Sequence, residues 1–281
     1  MKLARTPKLA RTTKRSRTTL GLVAALALLT GTARSVLAQG FETPPLNPAV
    51  KAATEAPYLK PEEARALRVF HGQANEDDVQ DVASRAKCAL LWGAYSDWSL
   101  SDEKADVIDR AEAALERGDP AKALALLEKN DSARAVRVRV AALEMSGRRD
   151  EAVAVGTPLL NKLTQGELSD AASTTEAVRV AAMLDRIRGS TGEAGADHQA
   201  MMKLLAQVRD KMDRLYWPAM LVEAELLIEK DNYSQAQQAL EAVLAMCPSS
   251  VQAWGMLGQM AVMSFDVKAA EEIAAELDEI S

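Results

Sequence analysis

The sequence predicts an all-α protein, an α-α superhelix built from helix pairs that stack along the chain. Three observations support this fold class. The 281 residues are 48% hydrophobic but only 4% aromatic, and most of the apolar residues are Ala and Leu, which lose little side-chain freedom in a helix. Turn-forming residues are sparse, with 14 Gly and 10 Pro. Finally, helical segments recur along the chain at a regular spacing, which is typical of solenoid proteins.

The first 38 residues differ from the rest and predict a secretory signal peptide. They carry eight Lys or Arg residues and no acid, and an apolar run from Leu20 to Leu29 follows the basic head. Small residues then lead to an expected cleavage site between Ala38 and Gln39. The apolar run is about half the length that spans a bilayer, so we expect no integral membrane span after removal of the segment. Its Arg and Thr content leaves a mitochondrial-type transit peptide as the alternative.

The charge balance argues against a nucleic-acid partner. The chain has 34 basic and 40 acidic residues, a net charge of −6, and loss of the eight basic residues of the first segment would make it −14. Binding to phosphates requires clustered Lys and Arg, which an acidic chain of this kind lacks. We therefore expect a protein located in the periplasm or outside the cell, with a partner other than nucleic acid.

Changes in composition divide the rest of the chain. Residues 39–60 are rich in Pro and predict an irregular linker. Residues 61–100 have helical periodicity and are expected to form N-terminal helices, either a degenerate repeat or a cap. Helical repeats are expected over 101–281, with units at about 104–130, 133–163, 168–214, 217–250 and 251–281.

The last two units carry the clearest internal repeat. A shift of 34 residues aligns Met220 with Trp254, Ala224 with Gly258, and Ala236 with Ala270. A helix–turn–helix unit of this length, with Trp, Leu-Gly, Ala and Pro at these intervals, resembles the tetratricopeptide repeat. The resemblance is weaker upstream, where the turns near 118 and 147 are 29 residues apart. The positions that carry it are Ala123, Ala152, Ala224, Tyr233, Ala236, Pro248, Trp254, Leu257, Gly258 and Ala270.

Those intervals have a packing explanation in the last unit. Trp254 and Leu257 lie one turn apart on its first helix, and Gly258 lacks a side chain, so a second helix with the small Ala270 can approach closely. One helix pair cannot bury both its apolar faces, so neighbouring pairs must stack on it. Part of the last apolar face could therefore be open. A partner, or a second copy through self-association, could cover this face. Alternatively, the chain could be part of a longer array, or the face could be more polar than the sequence suggests.

The resemblance implies a concave groove, lined by the first helix of each unit, that holds another protein or an extended peptide. In the family, Lys, Arg and Asn in this groove can clamp a C-terminal carboxylate, but the corresponding places here hold Leu221, Val222, Glu225, Gln252, Met256 and Gln259. Arg134 and Arg137 do occupy groove-like places in an earlier unit. With Gln252 and Gln259 they are the candidate groove-binding residues. The alternative for the two Arg residues is pairing with Asp109, Glu112 or Glu116 of the preceding unit.

The sequence contains no recognisable catalytic constellation. His occurs only at 71 and 198, which excludes paired-His zinc motifs, and we predict no catalytic, cofactor-binding or metal-binding residues. Cys88 and Cys247 are expected to be separate buried thiols, far apart in an extended fold. The favoured function is an exported, non-enzymatic scaffold that binds another protein in the cell envelope. The alternative is the N-terminal docking or regulatory array of a larger exported enzyme, such as a peptidase, whose catalytic domain is absent from this chain.

Overall fold

Helices account for all the regular secondary structure in the part of the chain that the structure, a computed structural model, describes: residues 45–56, 61–75, 79–189 and 197–280. The predicted all-α class is confirmed for these residues. The signal peptide expected at 1–38, with its cleavage site at Ala38 and Gln39, lies outside them. The α-helices are α1 Pro48–Thr54, α2 Pro61–Phe70, α3 Val82–Leu91, α4 Val107–Glu116, α5 Pro120–Leu126, α6 Ala133–Met145, α7 Arg149–Gln165, α8 Ala171–Gly189, α9 His198–Gln207, α10 Pro218–Ile228, α11 Tyr233–Met246, α12 Val251–Met263 and α13 Val267–Ile280.

The helices from α4 onward pack as successive pairs. The two members of each pair are in contact, namely α4 with α5, α6 with α7, α8 with α9, α10 with α11, and α12 with α13. The first helix of each pair also contacts the first helix of the next, so that α4, α6, α8, α10 and α12 form a continuous layer. We call these five the first helices. None of the described helices is long and apolar enough to cross a membrane.

Four of the turns inside these pairs have the same backbone geometry. Each has a residue with a left-handed φ two positions before the second helix, namely Gly118, Gly147, Asp231 and Phe265. The following N–H donates to the carbonyl five residues earlier, in the bonds Asp119–Ala114, Arg148–Leu143, Asn232–Leu227 and Asp266–Ala261, at 2.8–2.9 Å. This Schellman arrangement satisfies carbonyl groups at the end of a helix. The repeat seen in the sequence is therefore also a repeat of turn geometry, although a Gly occupies the left-handed position in only the first two turns.

Most of the positions that carry the repeat pattern are buried between helices. Ala123, Ala152, Ala224 and Ala236 are fully buried, and Trp254 and Leu257 are buried in the last pair. Pro248 follows the end of α11, and its carbonyl accepts a 2.9 Å hydrogen bond from the Trp254 indole. Tyr233 is half-buried at the start of α11, where its hydroxyl donates to Asp231.

The close approach expected at Gly258 is present, but its partner differs from the expected one. A Cβ at this position would lie 3.3 Å from Cγ2 of Ile273, so the glycine gives α13 room. Ala270, expected to be the small residue at this contact, is only half-buried, and Ala269 is buried instead. No described helix follows α13, which leaves the Ala270 side of the helix in contact with solvent.

The N-terminal helices contact the C-terminal pairs, which the sequence did not predict. The Asn47 N–H donates to the Ala245 carbonyl at 2.7 Å, and the Cys247 thiol donates to the Phe70 carbonyl at 3.0 Å. A cluster that includes Val69 and Trp92 packs against residues 251 and 280 of the last pair. This junction covers part of the last apolar face, at residues 251 and 280, which the sequence had suggested could be open.

Two expectations about these N-terminal segments and the cysteines are corrected by the structure. The segment 39–60, expected to be an irregular linker, contains α1, because Pro48 occupies the first turn of the helix and Asn47 caps it. Cys88 and Cys247 are buried thiols rather than a disulfide, as expected. They are not far apart, however: Cys88 belongs to the cluster of the junction, and Cys247 bonds to its edge at Phe70.

Candidate functional site

Two adjoining cavities lie along the layer of first helices. Cavity A, of about 420 Å³, is lined by residues of α2, α3, α4, α6, α8, α10 and α12 and by Tyr95, Tyr216 and Trp217. Cavity B, of about 410 Å³, is lined by residues of α6, α8, α10 and α12. The side chains of Arg137 and Arg179 belong to the walls of both cavities. The first helices thus contribute side chains to one shared surface.

Charged residues reach this surface because they recur at helical spacing. Positions three or four apart lie on the same face of a helix. The charged positions that the first helices contribute to the walls follow that rule: Asp109, Glu112 and Glu116 on α4; Arg134 and Arg137 on α6; Glu176, Arg179 and Arg186 on α8; Glu225 and Glu229 on α10. The opposite faces of these helices carry the apolar residues that pack against the second helices.

The ion pairs begin between α4 and α6. Arg134 Nη1 lies 2.7 Å from Asp109 Oδ1, and its Nε donates to Glu112 Oε1 at 3.3 Å. Arg137 also contacts the Glu112 carboxylate. Asp109 and Glu112 are buried, so each acid depends on these guanidinium groups for compensation of its charge.

The same pattern continues through α8 to α10. Arg137 Nε lies 2.7 Å from Glu176 Oε2, and Arg179 Nε donates to Glu225 Oε2 at 3.2 Å. Each first helix is therefore joined to the next by an Arg–carboxylate contact as far as α10. The wall is an alternating series of paired charges rather than a patch of one sign.

Burial affects the ionisation of several groups on the wall. Burial lowers the pKa of Arg137, and the neighbouring Glu176 carboxylate acts in the opposite direction. Burial also disfavours the charge of Arg179, yet the facing Glu225 raises the pKa of this guanidinium above its ordinary value. The pKa of Tyr216 is raised to about 12, first by burial and then by the charge of Glu176. Tyr216 therefore remains a neutral phenol at physiological pH.

The structure locates all four of the residues proposed from sequence to line the groove. Arg134, Arg137 and Gln252 are on the wall of cavity A, and Gln259 is on the wall of cavity B. The two Arg residues pair with Asp109 and Glu112 of the preceding unit, which was the alternative considered for them. A ligand carboxylate would therefore have to compete with internal carboxylates for these guanidinium groups. Whether the four residues bind a partner stays a prediction.

Other wall residues were missed by the sequence reasoning. Glu176, Arg179 and Arg186 lie at 3- and 7-residue intervals on one face of α8, a signal that was available from the sequence. Tyr216 and Trp217 precede α10, and no periodicity marks them as wall residues. The aromatic side of cavity A could be recognised only after the helices had been assembled.

Comparison with known proteins does not assign this chain to a family. A scan against protein-family models, a search of curated proteins and a search of solved structures each find no match for this chain.

Proposed function

We propose that this chain is an exported, non-enzymatic binding protein whose tetratricopeptide-like helix pairs hold an extended segment of another protein along the first helices. The observation that carries this proposal is the pair of adjoining cavities, because residues of all five first helices line them. A surface shared by every pair suits a ligand that extends along the stack. The basic head and apolar run of residues 1–38 support export.

The walls also suit binding better than chemistry. Their Arg and carboxylate groups contact one another, so most of their charge is already used within the protein. Glutamine amides at 252 and 259 can donate and accept hydrogen bonds to an extended backbone. We expect affinity to come from contacts along both cavities, as in other grooves that accept extended segments.

Site-specific photo-crosslinking in the source cell tests this function with the full chain. The photoreactive residue p-benzoylphenylalanine replaces Gln252 on the wall of cavity A or Gln259 on the wall of cavity B. The matched control replaces Gln238, an exposed residue of α11 outside both walls. We expect both wall positions to crosslink to the same protein, within one short segment, while position 238 does not.

The proposal fails if the wall positions give no crosslinked protein, or if position 238 gives the same products as they do. In the second case the partner would bind the outer face of the helix pairs. Mass spectrometry of the crosslinked peptides distinguishes an extended segment from a folded surface, because only the former gives contiguous sites from the two cavities.

A further inference from the structure

The way charges are paired on the wall of cavity A points to the kind of group that the cavity accepts. The connected ion pairs that begin on this wall comprise the carboxylates Asp109, Glu112, Glu176 and Glu225 and the guanidinium groups Arg134, Arg137 and Arg179. Glu116 adds another carboxylate to the wall. The wall of cavity A itself carries four carboxylates and, with Lys87, four basic groups, and of these only Glu116 and Lys87 form no ion pair with a described residue.

Some carboxylate oxygens on this wall also lack a partner within the described part of the chain. Asp109 is 1% exposed; its Oδ1 is paired with Arg134 Nη1 at 2.7 Å, whereas its Oδ2 has no hydrogen-bond donor among the described residues. A buried acceptor without a donor is costly, and a ligand that donates to it recovers that cost. Glu116 forms no ion pair with any described residue. Glu116 is an exposed residue on the wall of the cavity, where an incoming group can reach it.

Aromatic side chains complete the same cavity. Tyr95, Tyr216 and Trp217 lie on its wall together with Phe70. The faces of such rings attract ammonium and guanidinium groups, most strongly where water is excluded. Carboxylates and aromatic rings around one cavity are therefore complementary to a cation with an apolar stem.

We propose that cavity A binds the basic side chain, Lys or Arg, of an extended peptide segment, with Glu116 and Asp109 receiving its N–H groups. The proposal rests on the proposed function, because it concerns the segment held along the first helices. It reverses the expectation drawn from the family, in which basic groups of the groove clamp a carboxylate. Here the guanidinium groups at 134 and 137 are already held by acids of the protein.

Lys87 allows a test of whether cavity A accepts a positive or a negative group. It lines cavity A from α3, its side chain is exposed, and it forms no ion pair with any described residue. A basic ligand is repelled by this ammonium group, whereas an acidic ligand is attracted to it. Lys87→Met should therefore tighten the binding of a basic peptide by a few-fold and weaken that of an acidic one.

The experiment selects random dodecapeptides displayed on phage against the purified protein. We expect enrichment of peptides with Lys or Arg at one position. In fluorescence anisotropy with a selected synthetic peptide, replacement of that residue by norleucine should weaken binding about tenfold, as loss of one charge-assisted contact implies. Glu116→Gln should weaken it to a similar extent. Glu128→Gln, which makes the same change at an exposed position outside both cavities, should not.

Asp109→Asn tests the buried acceptor, and circular dichroism shows whether this variant folds. If it does not, the exposed Glu116→Gln still decides the question. Enrichment of acidic peptides, or of free C-terminal carboxylates, would overturn the inference and leave the proposed function standing. Basic peptides whose binding is unaffected by Glu116→Gln would place the contact elsewhere and also overturn it. Failure to enrich any peptide would count against both proposals.

Discussion

Replacing Arg137 with Met tests whether the ion pairs on the cavity wall hold the helix pairs together. Arg137 is 16% exposed and lies between Glu112 of α4 and Glu176 of α8, whose side chains are 11% and 13% exposed. Its loss leaves Glu176 without an ion-pair partner in the described part of the chain, while Glu112 keeps Arg134. Breaking a buried ion pair by removing one partner costs roughly 3–5 kcal/mol. Because some solvent reaches this pair and one acid keeps a partner, we expect about 3 kcal/mol.

The assay is urea unfolding followed by far-UV circular dichroism. A double-mutant cycle with Glu176→Gln isolates the contact between the two residues, and we expect a coupling of about 2 kcal/mol. The control is Arg148→Met, because Arg148 pairs with Glu151 on the exposed surface and its loss should not measurably change stability. If Arg137→Met were as harmless as the control and the coupling were near zero, the wall pairs would not stabilise the layer of first helices.

Two further predictions concern packing and pH. Gly156→Ala should lower the free energy of unfolding by about 1 kcal/mol, because its Cβ would lie 2.8 Å from Cδ1 of the buried Leu184, and this overpacking exceeds the gain in helix propensity. Gly255→Ala, on an exposed helix position with no atom within 4 Å, should instead raise it by about 1 kcal/mol. His71 should make stability fall as the pH drops below its ordinary pKa of 6.5, because burial lowers the pKa of the folded imidazole, against the opposing effect of its bond to the Met246 carbonyl.

Urea unfolding also measures these effects. Equal stabilisation by Gly156→Ala and Gly255→Ala would show that α7 and α8 are not in close contact. The direction of the His71 effect follows from its lowered pKa in the folded protein, because the unfolded chain binds the proton more tightly. The stabilising contribution of His71 is therefore fully present above pH 6.5 and is lost as the pH falls toward the lower pKa of the folded state. His71→Gln should be less sensitive to pH between 7.5 and 5, and an identical pH dependence in both proteins would contradict the reasoning.

Local features of the sequence were enough to predict the helix pairs. The turns at Gly118 and Gly147 were identified from turn residues, and the structure has left-handed backbone at both. The small residues at Ala123, Ala152 and Ala236 were identified from helical spacing, and all three are fully buried. These signals work because capping, turn formation and helical periodicity involve residues that are close together in the chain.

Sequence reasoning was less successful where position within the stack decides burial. Ala270 has the same helix position as Ala236, three residues after the first residue of its helix, yet it is only half-buried. The α11 helix has another pair packed on it through α12, whereas no described helix follows α13. A repeat pattern describes the unit, but not whether a neighbour covers it.

The sequence by itself determined the all-α class, the hairpin turns and the faces of α4, α6, α8 and α10 on which charges recur. Only the tertiary structure decided which charged residues form ion pairs and that Arg134 and Arg137 are held by acids of the protein. It also decided that the N-terminal helices contact the C-terminal pairs. The bond between His71 and the Met246 carbonyl joins residues 175 positions apart. Such contacts leave no local pattern, because they depend on the summed rotations of all the helix pairs between them.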